Sequence, residues 1–145
     1  MIYKQYKFKF YLNARHAVYT NGVLGDIHTR SWEFILHIIK GKSEFSQFSV
    51  IMNSIQEYFE KYQDQYLNEV APFDVINPTL ENAADFFKNE ISEILNKQGW
   101  MMLMMEVSET PSRTYVINML DDIELSEDQA ADTVSNLILE RVRNS

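Results

Sequence analysis

Two histidines lie in the stretch LNARHAVYTNGVLGDIHTRSW, residues 12–32, and an arginine follows two residues after the second of them. The ring nitrogens of His16 and His28 could bind a metal ion, and Arg30 follows His28 where a third ligand would fit. A guanidinium stays protonated and offers no lone pair, so Arg30 cannot be a metal ligand. It could instead bind an anionic group such as a phosphate or a carboxylate, or form an ion pair with Asp26.

Two further acidic residues could act as a base or bind a ligand. Asp64 lies in the segment EKYQDQ, and Glu109 lies shortly before a turn at Pro111. Carboxylates serve as general bases and accept paired hydrogen bonds from guanidine-like groups, but both residues could also be solvated element ends. The two histidines above could likewise be strand-end residues bonded to a backbone carbonyl or to the arginine, and His37 is interpreted as a packed or interface histidine.

The composition is that of an acidic, cysteine-free chain of one-domain size. The sequence has 145 residues, 46% of them hydrophobic, and a net charge of −8. An acidic surface repels phosphate backbones, so general nucleic-acid binding is disfavoured. The absence of cysteine excludes disulfides, thiolate metal sites and a cysteine nucleophile. The opening MIYKQYKFKFYLN is not a signal peptide and no apolar run could span a membrane, so we expect a cytoplasmic protein.

The spacing of apolar residues predicts the element order ββααββ. MIYKQYKFKFYLN alternates as a half-buried strand does, and TRSWEFILHIIKGK predicts its antiparallel partner across a wide loop. Two segments have the period of amphipathic helices: SQFSVIMNSIQEYFEKYQDQYLN and TLENAADFFKNEISEILNKQG. Thr79 is a candidate N-cap of the second. WMMLMMEVSET and SRTYVINML predict a second hairpin.

The end of the chain predicts a third helix. Ser126 and Gln129 form a capping box, and apolar residues then recur on one side, at Val134, Leu137, Ile138 and Val142. We therefore expect one α+β domain over residues 1–122 and a C-terminal helical appendage over residues 123–145, which packs on its own domain or on a neighbouring subunit.

Six short motifs follow one another at the spacing of one known family: LNARHAV, IHTRSWEF, QFSVI, YQDQYLN, NPTLEN and VSETPSRTYVI. NPTLEN is identical to the family pattern Asn-Pro-Thr-x-Glu-Asn, and the other motifs are similar in part. On these residues the chain, from about Tyr6 to Ile117, resembles the 6-pyruvoyl-tetrahydropterin synthase family, which includes the bacterial 6-carboxy-tetrahydropterin synthases of queuosine biosynthesis.

The resemblance implies the T-fold, a sheet of four antiparallel strands with two helices on one face, in subunits that assemble into barrels as trimers or hexamers with the sites at subunit interfaces. It implies zinc held by three histidines, with His16 and His28 at two of those positions and Arg30 at the third. It also implies that Glu109, followed by Thr110, accepts hydrogen bonds from the 2-amino group and adjacent ring N–H of a pterin.

Several of the family's catalytic groups have no counterpart in this sequence. The cysteine that commonly serves as base would fall near Leu24, and Asp26 is the nearest carboxylate. The Asp-His pair of the proton relay is replaced by Gln63 and Asp64. Two imidazoles beside the guanidinium of Arg30 predict that zinc, if it binds, binds weakly.

Three functions are compatible with this pattern. The first is a divergent family member that binds a pterin or purine-like ring through Glu109 at a subunit interface, with lost or altered catalysis. The second is an active tetrahydropterin synthase-type lyase with a rearranged site, in which Asp26 or Asp64 is the base and either a metal ion bound by the two histidines or Arg30 alone polarises the substrate. The third is a non-catalytic structural oligomer, whose pocket is filled by its own side chains.

Overall fold

A computed structural model of the chain describes residues 4–40 and 47–120. The predicted third helix and the proposed appendage at residues 123–145 lie outside the described residues. None of the helices in the two described ranges is long and apolar enough to cross a membrane. In chain order the elements are β1 (Tyr6–His16), β2 (Tyr19–Thr20), β3 (Val23–Leu24), β4 (His28–Lys40), α1 (Phe48–Phe59), β5 (Gln65–Tyr66), a 3₁₀ turn (Leu67–Glu69), α2 (Leu80–Lys97), β6 (Trp100–Thr110) and β7 (Arg113–Asn118).

The predicted α+β architecture is confirmed, with four long or medium strands in one antiparallel sheet. The strand order is β5-β1-β4-β6-β7, so the two predicted hairpins lie side by side. β1 and β4 pair without interruption from Tyr6 opposite Ile38 to His16 opposite His28. The wide loop between them contains the small β2–β3 hairpin, whose Asn21-Gly22 turn has positive φ angles of 52° and 79°, as such turns require.

Both predicted helices exist, and the first is shorter than its apolar period suggests. α1 ends at Phe59, so Tyr62 belongs to the following turn, although its side chain remains buried in the core. The chain turns there at Asp64, whose φ is 60°, and this turn brings the next residues against β1. α2 begins as predicted, because the hydroxyl of Thr79 accepts a hydrogen bond from the amide N–H of Asn82.

The core lies between the helices and one face of the sheet, and aromatic rings form its centre. Phe87 of α2 is fully buried and packs against rings from both layers, namely Phe34, Tyr58, Phe59, Tyr62, Phe73 and Phe86. The ring-centroid distance between Phe87 and Phe34 of β4 is 5.5 Å. Burial of this ring fixes α2 on the sheet, and α2 in turn brings its first residues to the end of the β1–β4 hairpin.

The free edge of β1 is closed by the side chain of Gln63. The resemblance described above places Gln63 where the family has an aspartate, and in the structure its amide bonds the backbone of β1. Its Nε2 donates to the carbonyl oxygen of Tyr11 at 2.8 Å, and its Oε1 accepts from the N–H of Asn13 at 2.9 Å. The short strand β5 then continues along the same edge in the parallel direction, an addition to the four predicted strands.

Candidate ligand-binding site

The site lies where β1, β4 and β6 meet the start of α2. His16 is the last residue of β1 and is paired with His28, the first residue of β4. Arg30 lies two residues further along β4, and Glu109 lies near the end of the neighbouring strand β6. A cavity of about 300 Å³ opens between these elements, lined by His16, Val18, His28, Arg30, Thr79, Leu80, Glu81, Glu109 and Arg113.

The NPTLEN motif joins the loop after β1 to the start of α2. The side-chain amide of Asn77 donates to the carbonyl oxygen of Tyr19 and accepts from its N–H, both at 2.9 Å. The carbonyl oxygen of Pro78 lies 2.8 Å from Nδ1 of His16. Thr79 then caps the helix, so consecutive residues of this motif position one histidine and the first turn of α2.

Glu109 is surrounded by three basic side chains. Its Oε1 lies 3.3 Å from Nε2 of His16 and 3.3 Å from Nε of Arg30. Its Oε2 accepts a hydrogen bond from Nη2 of Arg113 at 3.1 Å. The carboxylate is only 10% exposed, whereas the side chain of Arg113 is 62% exposed. The predicted ligand-binding glutamate therefore lines the cavity while its oxygens already face cationic groups.

His16 is almost completely buried and keeps one ring nitrogen without a hydrogen bond. A carbonyl oxygen can only accept, so Nδ1 must donate its hydrogen to Pro78. The side chain is 2% exposed, and its Nε2 has no hydrogen-bond partner despite the proximity of Glu109. Burial lowers the pKa of His16, outweighing the opposite effects of the Pro78 carbonyl and the Glu109 carboxylate. The neutral imidazole therefore presents the lone pair of Nε2 towards the site.

Arg30 forms its ion pair with Glu109, and the alternative pairing with Asp26 is wrong. Its Nε is buried beside the carboxylate, but the contact lacks the geometry of a hydrogen bond. Among the described residues, none accepts a hydrogen bond from the terminal Nη groups of Arg30, whose side chain is 24% exposed. His28 lines the same cavity and is exposed to solvent.

The other sequence-predicted site residues do not line this cavity. Asp26 is exposed in the loop before β4, and Asp64 is exposed at the turn beside the β1 edge. Thr110 follows Glu109, but its hydroxyl lies 3.3 Å from that of Ser112 instead of lining the cavity. His37 is packed as predicted, with Nε2 at 2.6 Å from a carboxylate oxygen of Glu106.

Comparison with known proteins identifies the family. The model of the 6-pyruvoyl tetrahydropterin synthase family matches residues 5–119. The chain belongs to this family. Among solved structures, the 6-pyruvoyl tetrahydropterin synthase of Caenorhabditis elegans is 11% identical, with a TM-score of 0.65, and the match covers 79% of this chain and 94% of that one. No curated protein sequence matches the chain.

Two further structures support the same T-fold. An uncharacterised protein from Wolinella succinogenes is 12% identical with a TM-score of 0.60, covering 79% of this chain and 97% of that one. The 6-pyruvoyl tetrahydropterin synthase of Plasmodium falciparum is 12% identical with a TM-score of 0.56, covering 78% and 96%. At such low identity these likenesses establish the fold, and the chemistry of the site must be argued from the residues of this chain.

The residues present do not fit the three-histidine zinc site of 6-pyruvoyl tetrahydropterin synthases. His16 has half of the required geometry, because its Nδ1–H bonds a backbone carbonyl and leaves Nε2 free, as in many metal-bound histidines. The third position, however, holds the guanidinium of Arg30, which cannot ligate and which lies against Glu109. Within residues 4–40 and 47–120, no group of three or more histidine or acidic side chains could hold a metal ion.

Two contributors to the site were not predicted from the sequence. Arg113 reaches Glu109 across the tight turn between β6 and β7, and a basic residue four positions after the glutamate was a signal for this contact. Glu81 lines the cavity from the first turn of α2. Its NPTLEN motif was recognised, but nothing in that pattern indicates that the helix start faces the β1–β4 hairpin.

The buried His16 predicts a specific loss of stability in mild acid. The unfolded chain binds a proton near the ordinary histidine pKa of 6.5, while the folded chain resists it until a lower pH. The unfolded state therefore binds more protons in this window, and the free energy of unfolding should fall as pH drops below about 6.5. Urea titrations between about pH 5 and pH 7.5, with a chelator present, measure this slope.

The matched controls for this prediction are His16→Gln and His28→Gln. The first should flatten the dependence on pH, because it removes the buried imidazole. The second removes an exposed imidazole from the same end of the hairpin and should leave the slope in place. A slope that survives His16→Gln would assign the acid sensitivity to other groups.

Proposed function

We propose that this member of the 6-pyruvoyl tetrahydropterin synthase family binds a pterin or purine-like ring through Glu109 at a subunit interface, and that it lacks the family's synthase reaction. The observation that carries this proposal is the position of the carboxylate of Glu109 on the wall of the cavity. Its volume of about 300 Å³ lies at the lower end of the range for small-molecule sites, about 300–1,000 Å³.

The carboxylate of Glu109 retains capacity for a ligand. Among the described residues, Oε2 accepts a hydrogen bond only from Arg113, whose side chain is 62% exposed, so a ligand can displace this arginine towards solvent. Oε1 receives no hydrogen bond from neutral His16, whose Nε2 carries no hydrogen. Both oxygens can therefore accept from the amino and ring N–H groups of a guanidine-like edge, a paired and charge-assisted interaction.

The proposed loss of the synthase reaction rests on the groups around this cavity. The chain has no cysteine, and Gln63 at the relay position is bonded to the backbone of β1. Asp26 and Asp64 lie outside the cavity, so the proposed function assigns them no catalytic step. Positioned bases and nucleophiles supply large rate factors, and their absence supports binding without turnover.

The proposed subunit interface is supported by exposed apolar side chains beside the cavity. Some belong to the loop between β1 and β4, and the others belong to the segment before α2. The side chain of Asn77 joins these two segments by bonding the backbone of Tyr19. The exposed apolar residues are Tyr19, Val23, Leu24, Ile27, Val75 and Ile76. Exposed apolar side chains of this kind favour coverage by a second copy of the chain, and the proposed assembly is a trimer or hexamer.

Calorimetry with neopterin and with guanine tests ring binding. We expect wild-type protein to bind at least one of these rings, and Glu109→Gln to weaken that binding by at least about 100-fold, because the charged acceptor pair is lost. Glu93→Gln is the matched control, since it removes the same charge from an exposed position on α2. Wild-type protein that binds neither ring would falsify the proposal. Equal affinities of wild type and Glu109→Gln for both rings would also contradict it.

A second candidate, the non-catalytic structural oligomer, is favoured by the three basic side chains around Glu109. In this function the ion pairs fill the site permanently and the glutamate serves only stability. Glu109→Gln would then reduce the free energy of unfolding without any ring affinity to lose. Measuring unfolding and calorimetry on the same variant separates the two functions.

A further inference from the structure

We propose that Asn68 is a positioning residue for ring binding, which fixes one wall of the cavity without lining it. It lies in the 3₁₀ turn at Leu67–Glu69, and its side chain bonds the backbone of Ala17 in the segment that follows β1. This inference rests on the proposed function, because the affinity for a ring is one of its readouts.

The side-chain amide of Asn68 satisfies both backbone groups of one buried residue. Its Oδ1 accepts from the N–H of Ala17 at 2.9 Å, and its Nδ2 donates to the carbonyl oxygen of Ala17 at 2.8 Å. Ala17 is completely buried, and within residues 4–40 and 47–120 its backbone groups have no other hydrogen-bond partner. Buried backbone groups are almost always paired, so Asn68 supplies here the bonds that a neighbouring strand would otherwise make.

The two residues after Ala17 are held by equivalent hydrogen bonds. The side chain of Asn77 bonds both backbone groups of Tyr19 at 2.9 Å. Between them, the carbonyl oxygen of Val18 accepts from the N–H of Gly25, also at 2.9 Å. The backbone is therefore bonded on alternate sides, as in a strand, and these bonds fix the path of residues 17–19.

The fixed segment forms one wall of the cavity. His16 and Val18, which flank Ala17 in the chain, both line the cavity, whereas Ala17 and Asn68 do not. Residues 79–81, at the start of α2, line it as well. A displacement of Ala17 would therefore move both flanking residues relative to α2 and change the space available to a ring.

Removal of the amide should loosen this wall. Asn68→Ala leaves the N–H and the carbonyl oxygen of Ala17 without partners in a buried position, and these groups regain hydrogen bonds only by reaching water. The segment then adopts several conformations, and a ring must order it again on binding. In wild type the segment is ordered before the ring arrives, and this preorganisation favours binding.

Calorimetry with neopterin and guanine measures the consequence for affinity, at a temperature where circular dichroism shows each variant to be folded. We expect Asn68→Ala to weaken binding of the ring that wild type binds by at least about 10-fold. The matched control is Gln63→Ala, which removes an equivalent pair of hydrogen bonds, to Tyr11 and Asn13 of β1. Gln63 does not line the cavity, so its variant should lose stability yet keep its ring affinity within about 2-fold.

Amide hydrogen exchange followed by NMR is a readout that needs no ligand. Once global unfolding is accounted for, the N–H of Ala17 should exchange at least about 10-fold faster in Asn68→Ala than in wild type, and at the wild-type rate in Gln63→Ala. Asn68→Asp keeps an oxygen that accepts from this N–H but loses the donor to the carbonyl oxygen. It should protect the N–H and show an intermediate ring affinity, and it tests the inference if Asn68→Ala does not fold.

Three results would overturn the inference and leave ring binding intact. In the first, Asn68→Ala binds the ring as tightly as wild type, and the amide is then only structural. In the second, Gln63→Ala loses as much ring affinity as Asn68→Ala, and the loss then reflects general stability. In the third, the exchange of Ala17 is unchanged in Asn68→Ala, and the segment is then held by other contacts. If wild type binds neither ring, the proposed function fails, and the role of Asn68 in ring binding fails with it.

Discussion

Replacing Arg30 by histidine should raise the affinity of the protein for zinc by at least about 100-fold. Structural zinc sites with four protein ligands release about 10–16 kcal/mol on binding, so one additional imidazole contributes on the order of two factors of ten. The substitution also removes a positive charge that faces Glu109 at 3.3 Å. Competition with a chromogenic chelator measures the change.

The geometry explains why this single substitution should suffice. His16 and His28 are paired across β1 and β4, and residue 30 projects from the same face of β4 as His28. Nε of arginine and Nε2 of histidine lie the same number of bonds from Cα. Arg30 and His16 already contact the same carboxylate oxygen, so an imidazole at position 30 reaches the same region.

Two controls accompany the zinc measurement. Arg15→His adds an imidazole on the opposite face of β1 and should leave zinc affinity as in wild type. Combining Arg30→His with His16→Ala should remove most of the gain, because the buried nitrogen is then lost. Zinc affinity of Arg30→His equal to that of wild type would show that the three positions do not converge.

Truncation of Phe87 to alanine should produce the largest loss of stability among the core substitutions, about 3–5 kcal/mol. The side chain is fully buried, and its ring contacts six other aromatic rings from both helices, the sheet and the loops. Its removal costs the transfer energy of the ring and leaves a cavity. Urea unfolding followed by circular dichroism measures the change.

The control for this prediction is Phe48→Ala, which removes the same ring from the first residue of α1. Its side chain is 43% exposed although its ring contacts those of Tyr6, Phe8 and Trp100, so we expect a smaller loss than for Phe87. If Phe87→Ala does not fold, Phe87→Leu retains most of the volume and should lose less than about 2 kcal/mol. Equal losses in Phe48→Ala and Phe87→Ala would contradict the described core.

Local patterns in the sequence were sufficient for most of the secondary structure and for the family. The alternation in β1, the helical period of α2 and the cap at Thr79 depend on neighbouring residues, and all three are confirmed. The family resemblance is confirmed by the match over residues 5–119. Such signals need no knowledge of distant contacts, because strand and helix periods arise within a few residues.

The role of Gln63 depended on contacts that no local pattern carries. The residue was identified by its place in a motif, yet its amide bonds the edge of β1 about fifty residues earlier in the chain. The end of α1 at Phe59 also depends on a distant contact. The chain turns at Asp64, and β5 then pairs with β1. Pairing with a distant strand here outweighed the helical period.

In the candidate site, too, local motifs indicated the individual residues and long-range packing decided their contacts. The sequence indicated His16, Arg30 and Glu109 separately, because each stands in a short motif. Their contacts depend on the register of β1 with β4, on the order of β4 and β6, and on burial of Phe87 beneath α2. A one-residue shift in either strand pair would turn these side chains to opposite faces of the sheet, so only long-range packing brings them together.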